Sequence, residues 1–204
     1  MFRLGLRRSL VIAIGALVLV SCSEGSISAP TPQVQARSDE GSGSDGTPLS
    51  TSSNQVKLKA LWWDRGYDQA ISVSKTIDAA GGTISIPKTG LTVSFPQGAL
   101  TGPLKITITA DKDYVAYRFD PAGTIFLKDV TVTQQLNNTA IFGDPLRSPL
   151  YAAYIADDNI KLSGSVPVVE IEPSTTIFSV LNPLLPQAEV WIIRHFSRYM
   201  LASG

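Results

Sequence analysis

A base and a hydroxyl stand two residues apart at His195-Phe196-Ser197, the one tripeptide in this chain from which chemistry can be argued. His195 is the only histidine, and no clustered carboxylates accompany it in the sequence. That leaves little for a Ser-His-Asp triad, an acid–base pair or a metal site, so a multiple-turnover hydrolase is poorly supported and no metal or cofactor is expected. Asp157-Asp158-Asn159 offers oxygens to a calcium ion, but without further spaced ligands it reads as a solvated turn. Cys22 is the only cysteine, so no intramolecular disulfide can form and its thiol is free for acylation.

The tripeptide is expected on a last strand spanning residues 190–201. By the period of two, Trp191, Ile193, His195, Ser197, Tyr199 and Leu201 share one face, and Arg194, Phe196 and Arg198 share the other. The arginines mark the second face as the wet one, which turns His195 inward. Two readings of it are open. It is a base for Ser197, or it is a satisfied core histidine bonded to a tyrosine hydroxyl, with Ser197 a small strand residue.

The stretch around which the remaining strands are organised is 79–100, AAGGTISIPKTGLTVSFPQGAL. Ile84 and Ile86, then Leu91, Val93 and Phe95, alternate with Thr and Ser and so line one face of a half-buried sheet. Pro87-Lys88-Thr89-Gly90 between them is turn chemistry. Leu104, Ile106, Ile108 and Ala110 form a further alternating strand. Others are expected over 56–63, 70–77, 114–119, 151–155, 166–171 and 177–181. Ile125 and Leu127 are out of phase with Val130 and Val132, which predicts a bulge near Lys128-Asp129. Trp62-Trp63 is either an aromatic platform for a sugar ring or a membrane, or one core tryptophan beside a partly exposed one; the second is favoured. Many short strands parted by Gly, Pro and Asp turns predict an all-β sandwich over residues 55–204, a body of about 150 residues that can bury a stable core without disulfides or metal.

Upstream, Arg3, Arg7 and Arg8 precede an apolar run over 10–20, the n- and h-regions of a secretory signal. Leu19-Val20-Ser21-Cys22 resembles a bacterial lipobox, which implies a signal peptide over residues 1–21 and lipidation of Cys22. Acylated Cys22 would anchor the chain in a lipid bilayer. Ser23 rather than aspartate follows it, so by resemblance the outer membrane of the cell envelope is the expected location. Residues 22–54 then turn to Ser, Gly, Pro, Thr and Asp, a composition expected to form a disordered tether reaching about 30 Å. Lys and Arg total 17 against 17 Asp and Glu, so the basic excess of a nucleic-acid binder is missing.

Gly-Gly-Thr-Ile-Ser-Ile at 81–86, Phe95-Pro96-Gln97-Gly98-Ala99-Leu100, Gly123-Thr124-Ile125-Phe126 and the closing His-Phe-Ser-x-Tyr together resemble the ZU-5 domain of zonula occludens protein, netrin receptors and ankyrins. The resemblance spans roughly residues 73–201. It implies a β-sandwich used in protein interaction and scaffolding, here toward an unidentified envelope protein or cell-wall component. Some ZU-5 domains cut themselves between the Phe and Ser of this tripeptide. Carried over, Ser197 would attack the Phe196 carbonyl with His195 assisting proton transfer, and water would hydrolyse the ester. Eight residues, Ser197 to Gly204, follow that bond in this chain, so cleavage is expected to free no further module. A non-catalytic envelope module is the first expectation and single-turnover self-cleavage the alternative.

Overall fold

The computed structural model describes residues 56–204. The signal peptide at 1–21, Cys22, the tether at 22–54 and the predicted first domain residue, Gln55, lie outside the described residues. Thirteen strands run through them: β1 (Lys57–Ala60), β2 (Ile71–Ile77), β3 (Gly82–Ile86), β4 (Leu91–Phe95), β5 (Leu104–Ala110), β6 (Ala116–Asp120), β7 (Ile125–Gln135), β8 (Leu150–Ile155), β9 (Ser165–Pro167), β10 (Glu170–Glu172), β11 (Ser174–Phe178), β12 (Pro186–His195) and β13 (Arg198–Ser203). They form two antiparallel sheets packed as a sandwich, which is the expected all-β class. One sheet runs β11-β12-β7-β4-β3. The other runs β10-β8-β13-β6-β5-β2, with β1 on β13 and β9 on β1.

The β3–β4 hairpin forms as its alternation dictates. Ile84, Ile86, Leu91, Val93 and Phe95 are all buried, and Ile84 faces Val93 across the ladder. Its turn closes with the Thr89 and Gly90 amides both donating to the Ile86 carbonyl at 3.0 Å. At the entry to β3, Gly81 takes φ +80°, and an added Cβ would press on the Phe95 carbonyl oxygen and lie 2.8 Å from the Pro96 carbonyl carbon. Both neighbours are backbone and cannot swing aside. Gly81→Ala is therefore expected to lose at least about 2 kcal/mol of unfolding free energy in urea titration, left-handed strain and clash together. Opposite, β2 and β5 zip along their whole length, and Ser72–Thr109 and Ser74–Thr107 pair their hydroxyls at 2.7 Å on the outer face.

Three expectations are corrected. The strand expected over 166–171 is two strands on different partners: β9 pairs β1, and β10 pairs β8. Pro167, which has no ladder donor, closes the first of them. In β7 the inward residue is Phe126, while Ile125 and Leu127 face solvent. The buried set Phe126, Val130, Val132 and Gln134 thus keeps one phase, so the bulge has no phase to reset. The expected bulge itself is present, since the β7–β12 register shifts over 126–129, with Ile193 opposite Val130 but His195 opposite Ile125. What is corrected is the inward residue.

The third correction concerns the last strand, which is not continuous over 190–201. It leaves one sheet as β12 at His195 and enters the other as β13 at Arg198. The parity argument fails across the break, and Phe196 is buried rather than wet. Two chain crossings run side by side at this corner. The Phe196 amide donates to the Thr124 carbonyl at 2.8 Å, Gly123 N–H donates to the Phe196 carbonyl at 2.9 Å, and Phe119 N–H donates to the Ser197 carbonyl at 3.0 Å. The 120–124 turn carries β6 over to β7 beside the bond that carries β12 over to β13.

Candidate functional site

The corner fixes the tripeptide residue by residue. Phe196 is the anchor, its ring 4.8 Å from Phe126, 6.2 Å from Phe95 and stacked at 5.7 Å on Phe119. With Phe196 seated inward, His195 leaves the core on the opposite side and is half-buried against tyrosines. The Tyr154 ring meets the imidazole edge-on at 5.0 Å. Tyr199 donates its hydroxyl proton to the His195 carbonyl at 2.9 Å and lies 3.3 Å from Nδ1. Of the two readings open for His195, the tyrosine-bonded one describes its hydrogen bonds. Ser197 is half-buried, and the bond it makes among the described residues is through its carbonyl.

Two residues absent from the sequence reading join the histidine. Strand β10 carries Glu170 and Glu172 on one face, and ligand-capable atoms of Glu170, Glu172 and His195 all lie within 4.8 Å of one another. Glu172 is 8 % exposed. Burial first, and the Glu170 charge second, push its carboxyl up to about 7, against the partial offset of Arg194. Burial likewise pushes the Tyr199 hydroxyl up, and the Glu172 charge adds to it. Each carboxylate alone has no signal in a sequence of short strands. The Glu-x-Glu spacing, which sets both on one face of a strand, is the only trace.

The other singled-out residues are placed as follows. Trp63 is core, with its indole N–H donating to the Asp111 carbonyl at 3.0 Å, while Trp62 is 55 % exposed. The Asp157 side chain accepts from Asn159 N–H at 2.8 Å, an Asx turn, and the Asp158 carbonyl accepts from Arg198 at 2.7 Å.

What fold and corner define together is an antiparallel two-sheet β-sandwich with a histidine and two glutamates gathered where β12 leaves its sheet. A scan against protein-family models finds no match to the chain, and a search of curated proteins finds none either.

Proposed function

We propose that this chain is an envelope lipoprotein, anchored through acylated Cys22 on the outer membrane, whose ZU-5-like sandwich is a non-catalytic interaction module. The observation that carries the reading is the tip of the β11–β12 hairpin. Residues 173–188 contain no charged side chain. Within them Ile177, Phe178, Val180, Leu181 and Leu184 are exposed, Val180 and Leu181 almost completely. An uncharged apolar projection of this kind on a folded domain marks an interaction site. Because β11 is also the edge of its sheet, the fitting occupant is an extended, apolar-rich segment of an envelope protein, added as a further strand.

The test is photocrosslinking in intact cells from a probe at Leu181, with a probe at the exposed Lys105 of β5 as control. A discrete protein adduct from Leu181 alone, lost when Ile177→Asp is added, is the expected result. Adducts to lipid only, equal adducts from both positions, or none would overturn the reading.

One observation favours self-cleavage as a second reading. The Gly123 N–H already sits 2.9 Å from the Phe196 carbonyl oxygen, where an oxyanion would form. In that step the Ser197 Oγ–carbonyl bond forms, its proton passes through His195 to the Ser197 nitrogen, the amide C–N bond breaks, and water then hydrolyses the ester. Against it, the imidazole is engaged by Tyr199 and faces Tyr154 and the two glutamates. The denatured full chain is therefore expected to give one intact mass after prolonged incubation. A species ending at Phe196, and absent in Ser197→Ala, would establish cleavage instead.

A further inference from the structure

The geometry points to a divalent-cation site, of the class that takes Zn2+, formed by Glu170, Glu172 and His195 and spanning the two sheets of the sandwich. Glu170 and Glu172 come from β10, the edge strand of one sheet, and His195 comes from the last residue of β12 in the other. Their ligand atoms converge within 4.8 Å. In a tetrahedral site with bonds of about 2.0–2.1 Å, ligand atoms stand about 3.3 Å apart, so side-chain rotation on a three-residue edge strand closes the set.

The convergence has no internal explanation. Glu172 is more than nine-tenths buried as a residue; its carboxylate oxygens keep some contact with solvent, accept no hydrogen bond among the described residues, and lie close to a second carboxylate and an imidazole. Burying an acid without a donor or a cation is costly, and buried charges are ordinarily paired or metal-bound. Arg194 offsets this in part but makes no ion pair with Glu172 among the described residues. Arg194 is turned to Asp129, with Nε–Oδ1 at 3.1 Å.

The histidine is set up for ligation by its neighbour. With the Tyr199 proton given to the His195 carbonyl, the tyrosine oxygen is an acceptor for Nδ1–H. That choice of tautomer leaves the Nε2 lone pair for a metal and fixes the ring plane, the usual arrangement around a ligating histidine. A nitrogen with two carboxylate oxygens suits zinc and its first-row neighbours rather than calcium or magnesium, which take oxygen alone. Three protein ligands leave a fourth position for water.

The site lies away from the hairpin tip, so it stands or falls separately from the interaction reading. The detergent-solubilised full chain is titrated with Zn2+, with Mg2+ in parallel, by calorimetry and by NMR of its single imidazole. One Zn2+ per chain at micromolar or tighter affinity is expected, with the His195 ring resonances shifted and Mg2+ inert. Glu170→Gln, a change at an exposed position that folding tolerates, and His195→Ala should each weaken binding at least tenfold. Tyr199→Phe should weaken it by about 10-fold through loss of ring orientation. No saturable Zn2+ binding, or binding with an unmoved His195 resonance or with full affinity in Glu170→Gln, would overturn the assignment.

Discussion

Phe196→Ala is expected to destabilise the domain by about 3–5 kcal/mol, the cost of emptying a well-packed aromatic site. The ring is 1 % exposed and touches Phe126 edge-on, Phe119 in a stack and Phe95 edge-on, so neighbours on both sides of the sandwich lose a partner at once. Aromatic residues on rigid strands collapse poorly into such a gap. Against the 5–15 kcal/mol that holds a typical domain, the loss is large, and Tm should fall by about 10 °C. Phe196→Leu keeps much of the volume and should cost about 1.5 kcal/mol or less. Urea unfolding distinguishes this packing from the one a continuous last strand would give. On that strand Phe196 would share the wet face with Arg194 and Arg198, and truncation would change stability by no more than about 0.5 kcal/mol. The same substitution bears on the corner. Once the ring is gone, nothing large fixes where the chain leaves one sheet, and the His195 cluster should loosen with it.

The contrast between the two ends of the domain explains what sequence reasoning can reach. The β3–β4 hairpin was legible to the residue because its alternation, its Pro-Lys-Thr-Gly turn and its left-handed glycines are all local. Leu91–Phe95 is bounded by turn chemistry on both sides. The 195–198 crossing has no such punctuation. No Gly, Pro or Asp separates β12 from β13, β13 buries Tyr199, Met200, Leu201 and Ala202 in succession, and what bends the chain at the crossing is supplied from elsewhere, by the 120–124 turn and by three phenylalanines. A parity count cannot register a change of sheet, so it placed Phe196 outward. His195 is the residue the sequence singles out, and its bond to a tyrosine hydroxyl is one of the readings its neighbours allow. Glu170 and Glu172 reach it only because β10 docks on β8, a pairing set by the whole sheet. In β7 the signal lies in Phe126 rather than in Ile125 and Leu127. Val130, Val132 and Gln134 keep one phase with Phe126, and following that phase would have found both the inward ring and a buried amide.

That amide is the subject of the second large effect: Gln134→Leu is expected to cost about 3–5 kcal/mol although it puts a hydrophobic residue in the core. Gln134 has no exposed surface, and its amide oxygen and both amide N–H groups are engaged. Its Oε1 accepts from the Tyr117 hydroxyl at 2.5 Å, and its Nε2 donates to the Thr89 and Gln135 carbonyls, each at 2.6 Å. Tyr117 belongs to the opposite sheet and Thr89 to the β3–β4 turn, so one side chain ties the hairpin, β7 and β6 together. Burial pushes the Tyr117 hydroxyl upward, which keeps it a proton donor. Leucine leaves that hydroxyl and the Thr89 carbonyl without partners in a dry interior, at about 1–3 kcal/mol each. Tyr117→Phe alone strands only the Gln134 oxygen and should cost about 1–3 kcal/mol. In the double variant Tyr117→Phe/Gln134→Leu the hydroxyl is no longer there to be stranded, so the combined loss should fall short of the sum by about 1–2 kcal/mol. Urea denaturation of the four proteins gives the cycle directly. Strict additivity would mean that the two groups do not share a bond. A sub-additive result would make Gln134 a residue that specifies how the turn and the two sheets meet, a task that an apolar side chain of the same size cannot perform because it has no direction.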